Sequence, residues 1–345
     1  MYEIDGSEKS GSGTILRLSV AIAAITGKPL HIYNIRANRS KPGLRPQHLQ
    51  AVITAGKLCD AEIKGAELDS NELWFKPKKN RGGTFSSIIG TAGSIPALIM
   101  TILPICIFSI NPVRLHISKG GTDVSHSPTI NYMKFILLPT LRKMGVHASI
   151  QILSYGYYPR GMGEVIFKTI PSPSLNSIIL NEFGKIKHTK GLSVSTFLKN
   201  RNVAQRQAFS ATSYLKQHGI LSNVNILNDF SNPFQKGSSI TLWLKTTTGV
   251  IIGADAIGAR NKSSEEVGRE AAKKIATAFA SKATVDTNLS DMIIPFIALA
   301  KGESTFLTRI LSNHLSTNMW LMDKLLNTRF IIQKAGNLHK ITKKE

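Results

Sequence analysis

The chain has 345 residues, an apolar fraction of 42%, and 43 lysines and arginines against 21 acidic residues, giving a formal net charge of +22. That length suits about two or three domains of ordinary globular composition. Two cysteines, Cys59 and Cys106, both in apolar surroundings, exclude a disulfide scaffold and fit buried thiols in a reducing, cytoplasmic setting. No Cys/His cluster has the spacing of a zinc site. The longest apolar stretch, residues 95–110, carries Pro96 and Pro104 and falls short of the ~20 residues a membrane span needs. No secretory leader is expected, because the first residues, MYEID, already read as a strand. The charge favours a polyanionic partner, nucleic acid foremost. Basic residues recur in loops at 36–45, 76–81 and 185–190 and at the C-terminus, which predicts a charged face and not a disordered arm.

In chain order, a glycine-rich opening, DGSEKSGSGTILRL at 5–18, leads into an apolar helix and then the strand PLHIY. A basic loop follows, RANRSKPGLRPQH at 36–48, then a helix, a strand and a closing strand, NELWFKP. The same order returns from residue 93. GSIPALIMTILPICIF reads as a helix and PVRLHIS as a strand; the loop GGTDVSH, a helix, a strand and the closing GEVIFKT follow. A third, shorter copy near the C-terminus reads helix and strand in DMIIPFIALAKGESTFLT, then loop, helix and strand in RILSNHLSTNMWLMDKLLNTRFIIQ. Between copies two and three, residues 181–281 follow another pattern: strand, helix at 203–217, three strands, and a long helix after Ser263. Glu265 and Glu266 open that helix with a capping pattern.

The expected fold class is therefore α/β (α+β). Three stacked repeats of a small four-stranded sheet with two helices would carry an inserted smaller α/β domain, because a sheet covered on one face buries that face by stacking with its neighbours. The expected boundaries are 1–180 for copies one and two, 181–281 for the insertion, and 282–345 for copy three with a C-terminal tail.

Repeats place equivalent loops on equivalent edges, so the loops before each second helix form a candidate site. The first holds Arg36, Arg39, Lys41 and Arg45 around a Lys-Pro-Gly turn, a composition suited to phosphate contacts. The third holds His314 at a helix start. There the helix dipole favours the neutral imidazole, which is nucleophilic.

The blocks IRANRSKPGLRPQHL, GTAGS, KGGTDVSHSP, YYPRGMGEV, GADAIGARNKSSEEVGREAA, DMIIPFIALA and NHLSTNMWLM occur in one order from Tyr2 to about Phe330. Together they resemble the RNA 3′-terminal phosphate cyclase family. The resemblance implies an ATP-consuming ligase that releases AMP and diphosphate. His314 would be the adenylated nucleophile, the AMP would pass to an RNA 3′-phosphate, and the neighbouring 2′-hydroxyl would close a 2′,3′-cyclic phosphate. It further implies that Arg17, Leu289 and Asp291 contact the nucleotide, and that Arg36, Arg39, Lys41, Arg45 and Gln47 gather the RNA phosphate. A divalent ion of the magnesium type would accompany the triphosphate. The partners are RNA 3′ ends, with no membrane.

The resemblance breaks around the nucleotide. A glutamate and a glutamine usual in the first loop are Ser10 and Thr14, and two further glutamines are Met100 and Met292. The second reading is accordingly a catalytically reduced member that binds RNA as a processing factor. A third, from repeat architecture alone, is an enolpyruvyl-type transferase.

Overall fold

The computed structural model describes residues 1–344. The first unit runs β1 (Tyr2–Asp5), α1 (Gly13–Thr26), β2 (Leu30–Tyr33), α2 (Pro46–Cys59), β3 (Glu62–Lys64) and β4 (Leu73–Lys76). The second runs β5 (Gly83–Ile88), α3 (Ile95–Ile107) and β6 (Val113–Gly120). Next comes a helix that opens as α4 (Ile130–Tyr132), passes through a π turn at Met133–Leu137 and closes as α5 (Leu138–Arg142). Strands β7 (His147–Ser154) and β8 (Gly163–Ile170) complete it. Two short strands follow, β9 (Leu175–Asn176) and β10 (Ile179–Leu180).

The segment of different pattern comes next. It comprises β11 (Ile186–Thr196), α6 (Val203–Gln217), β12 (Asn223–Asp229), β13 (Gly237–Thr246), β14 (Ile251–Ile257) and α7 (Ser264–Ser281). The chain ends with α8 (Thr287–Leu299), β15 (Ala300–Lys301), β16 (Ser304–Thr308), α9 (Asn313–Leu326), β17 (Phe330–Ala335) and β18 (Leu338–Lys343).

Three sheets share one topology. Their orders are β1-β2-β4-β3, β5-β6-β8-β7 and β10-β16-β18-β17. In each, the first pair is parallel and the other two pairs are antiparallel. A parallel pair needs a crossover, and α1 and α3 supply it in the first two units. In the third unit the crossover from β10 to β16 contains the whole segment from β11 to α7 as well as α8. The insertion thus interrupts the third unit between its first strand and its first helix. A strand of two residues has no readable period, which is why sequence reasoning began the third unit after the insertion. The tail is also structured: β18 lies between β16 and β17. Lys343 is buried there, its Nζ donating to the carbonyls of Ala300 and Gly302.

The helices meet inside. α1 packs on α2, α3 and α9, while α3 also packs on α2 and α8. That central place explains why α3 is apolar all round, with Leu98, Ile99, Ile102, Leu103, Ile105 and Cys106 buried. Cys59 and Cys106 are both free and buried. Helix starts follow their caps: Ser12, Ser94 and Ser312 accept from backbone N–H groups of α1, α3 and α9, and Ser263 with Glu266 closes a capping box on α7. Strands β11–β14 form a fourth four-stranded sheet, order β12-β11-β13-β14, covered by α6 and α7. Among the described residues no helix is long and apolar enough to cross a membrane.

Candidate active site

The starts of α1, α8 and α9 converge on a cleft of about 600 Å³, whose other wall comes from the loop at 125–128 and from the inserted segment. Thr14 and Arg17 enter it from α1, Asn288 and Asp291 from α8, and His314 and Asn318 from α9. The N-terminal loop and the α9 start are tied together, since the Ser10 backbone N–H donates to Thr317 Oγ1 at 3.2 Å. The basic loop is tied to the N-terminal loop in turn, because Arg39 donates to the carbonyls of Ser10 and Gly11.

The charges in this corner act on one another. Arg17 is half-buried at the cleft wall and its guanidinium is pushed down to about 10, by desolvation and then by Arg36. Its one side-chain hydrogen bond goes to Thr14 Oγ1 at 3.2 Å, and it joins no ion pair among the described residues. A partly desolvated cation without a carboxylate is left for an anion to complete. His314 sits in the first turn of α9 and is held below the ordinary imidazole range, by desolvation first and then by Arg17 and Arg39. It is therefore neutral at pH 7 with a free lone pair. Asp291 is pushed up to about 6, chiefly by burial, although Ser312 donates to its carboxylate at 2.5 Å. Asn318 Nδ2 donates to the Asp291 carbonyl, while Asn318 Oδ1 is buried without a partner. The cleft thus offers an unpaired guanidinium and an orphaned acceptor, which a phosphate and a ribose hydroxyl or an amino group would satisfy. A nucleotide fits this donor set. A divalent ion held by protein alone does not, because among the described residues no three His, Cys, Asp or Glu side chains stand together.

The expected residues divide between cleft and scaffold. Arg17, Asp291 and His314 line the cleft together. Leu289 does not: it is wholly buried and its backbone N–H is taken by the α8 cap, Asp286. Arg36 spends its guanidinium on the carbonyls of Lys41 and Gly43, bracing its own loop. Arg45 pairs with Asp69. Gln47 accepts from the Ser94 backbone N–H at 3.1 Å and so joins the first unit to the second. Arg39 and Lys41 are exposed, and Arg39 is the loop cation whose field reaches His314. Of the four departures, Thr14, Met100 and Met292 line the cleft. Ser10 instead hydrogen-bonds Ser12.

Sequence reasoning missed the wall supplied by the insertion. Asp255, Lys262, Glu270 and Lys274 face the cleft. Lys262 and Lys274 both pair with Glu270, and Lys274 donates to the Asp255 carbonyl at 2.7 Å. The block GADAIGARNKSSEEVGREAA held Asp255, Lys262 and Glu270, but nothing in its spacing brings it to the repeat edge. His48 was also missed. Its Nδ1 has no partner, and its imidazole is pushed down to about 2 by burial and by Arg17, Arg36 and Arg45, so it is neutral.

A family profile described as RNA 3′-terminal phosphate cyclase matches residues 8–332. The chain belongs to the RNA 3′-terminal phosphate cyclase family. Proteins named RNA 3′-terminal phosphate cyclase are similar along nearly their whole length. That of Pyrobaculum neutrophilum is 41% identical over 335 residues, 96% of this chain and 95% of the relative. That of Pyrococcus furiosus is 40% identical over 333 residues, with 96% and 95% covered. That of Staphylothermus marinus is 42% identical over 324 residues, with 92% and 90% covered. Cyclase family membership covers all three repeats and the insertion alike, and so includes both walls of the cleft.

Proposed function

We propose that this chain is an active RNA 3′-terminal phosphate cyclase that works through a covalent histidine–AMP at His314. The observation that carries the reading is the neutral His314 beside the unpaired Arg17 in a cleft with room for a nucleotide, in a chain of this family. His314 attacks the α-phosphorus of ATP, forming a nitrogen–phosphorus bond as the bond to diphosphate breaks. Arg17 takes up charge on the phosphoryl oxygens, as a cation aimed at developing negative charge does. An oxygen of the RNA 3′-phosphate then displaces His314 from the AMP. The neighbouring 2′-hydroxyl next attacks the RNA phosphorus, its proton is lost, and AMP departs, leaving the 2′,3′-cyclic phosphate. Splitting activation in two is useful because an unactivated phosphate oxygen is a poor leaving group. A divalent ion accompanying the triphosphate belongs to the proposal; among the described residues no three potential ligands stand together to hold it, and no step is assigned to it. The exposed Arg39 and Lys41 of the basic loop collect the RNA phosphate. The soluble, cytoplasmic setting expected from the thiols belongs to the same proposal.

The test is conversion of a 3′-phosphorylated oligoribonucleotide by the purified chain with ATP and a divalent metal. The expected product resists phosphatase and opens on acid treatment, with one AMP released per end. Persistent phosphatase sensitivity alongside intact RNA binding would favour the reduced member that only binds RNA, the reading to which Met100 and Met292 in the cleft wall lend weight.

A further inference from the structure

A second cavity, about 1100 Å³, adjoins the nucleotide cleft and shares Ser125, Ile257, Ala259 and Lys262 with it. It lies between the loop at 157–159 and the inserted segment, and it exceeds the ~300–1,000 Å³ that small-molecule sites occupy. Arg201, Lys236 and Arg260 line it, all three exposed, and none joins an ion pair among the described residues. The acidic group on its wall is Asp123, fully buried and pushed up to about 7, so its charge is partial at neutral pH.

Exposed aromatics stand on the cavity's wall or next to wall residues. Tyr158 lines it and is 77% exposed. Phe197 and Phe234 each precede a lining residue, Leu198 and Gln235, and Phe230 meets Phe197 edge to face at 5.5 Å. Phe230 and Phe234 are 56% and 58% exposed. Phe197 holds its place at a φ of 53°, a backbone region that costs a bulky residue energy. The platform is built in from beneath. The Tyr157 hydroxyl accepts from Thr196, and Asn232 donates to the carbonyls of Tyr155 and Gly161, joining the two loops. Free cations interleaved with exposed aromatic rings are what an unpaired nucleic-acid strand needs, phosphates on one and bases on the other.

Resting on the cyclase reading of the adjoining cleft, we propose that this cavity and these aromatics form a track for the single-stranded RNA upstream of the 3′ end. The terminal nucleotide enters the cleft at Lys262, and the preceding nucleotides pass Arg201, Lys236 and Arg260 and stack on Tyr158 and Phe230. The enzyme accordingly selects unpaired 3′ ends several nucleotides long.

The experiment measures binding of dye-labelled, 3′-phosphorylated RNA to the full chain by anisotropy across a salt series. The probes are a dinucleotide, a decanucleotide and a blunt duplex with the same 3′ end. The decanucleotide is expected to bind at least tenfold tighter than the dinucleotide and tighter than the duplex. In Arg201→Ala/Lys236→Ala/Arg260→Ala the salt slope for the decanucleotide falls by about 2, at about 0.7 per single-strand phosphate contact, while dinucleotide binding holds. Tyr158→Ala and Phe230→Ala each weaken decanucleotide binding by about fivefold or more. Equal affinity for dinucleotide and decanucleotide, equal affinity for the duplex, or an unchanged slope in the triple variant would overturn the track. Attachment of AMP by the same preparation separates the two readings. Labelling without length dependence refutes the track alone, and length-dependent binding without labelling refutes the cyclase reading alone.

Discussion

At the scale of single residues, the cleft is built on charges that are left unpaired. Arg17 has Thr14 but no carboxylate, and its field helps hold His314 neutral. Removing that positive charge must raise the His314 pKa, because a nearby cation disfavours the imidazolium. The wild-type chain is therefore expected to keep its AMP-attachment rate on acidification to below the ordinary imidazole range. In Arg17→Gln the acid limb moves to higher pH, and KM for ATP rises by about ten- to hundredfold, the equivalent of one lost hydrogen bond to a charged group. A pH profile of single-turnover labelling measures both, and an unmoved limb would separate Arg17 from His314. His314 could be picked from the sequence because a helix start is visible as a pattern, whereas Arg17 came only from the family resemblance. Their mutual action could not be read, since Arg17 and His314 lie at opposite ends of the chain. Gln47 and Arg36 show the converse: residue types suited to phosphate, spent on Ser94 and on loop carbonyls.

At the scale of elements, the site depends on how closely α1 and α2 approach. Gly13 opens α1, and a Cβ there would stand 2.1 Å from His48 Nε2 in α2. Gly13→Ala should cost about 1–3 kcal/mol, the usual penalty for overpacking. Adding His48→Ala removes the obstacle, so the double variant should recover part of the loss, with a coupling visible in a denaturant double-mutant cycle. Additive losses would mean that the two helices do not meet as described. Most elements were readable. The apolar run at 13–26 between Ser12 and Gly27, and the Ser263–Glu266 box, announce their helices because caps and periodicity agree. β18 was not readable, because Lys340 and Lys343 interrupt its apolar alternation and only the carbonyls of Ala300 and Gly302 make Lys343 a core residue.

At the scale of the whole molecule, the repeat explains where the site is and the charge explains what comes to it. The first and third repeats present the starts of α1, α8 and α9 to a common cleft, the second adds α3 and the loop at 125–128, and the insertion, entering between β10 and α8, closes the far side. The internal likeness of copies one and two made this architecture legible, whereas the split third unit hid behind a two-residue strand. The net charge of +22 predicts RNA binding that weakens with salt, but individual cations contribute unequally. Arg39 is exposed and acts on His314, whereas Arg45 is occupied by Asp69. Arg39→Ala should therefore weaken binding of a 3′-phosphorylated oligonucleotide more than Arg45→Ala and lower the salt slope by about 0.7. Equal effects in a filter-binding series would remove that distinction. The central claim, a nucleotide attached to His314, is tested most directly by incubating the chain with α-labelled ATP and a divalent metal. Acid-labile AMP is expected on the wild-type protein and none on His314→Ala. An unlabelled wild-type chain, or undiminished label in His314→Ala, would contradict it.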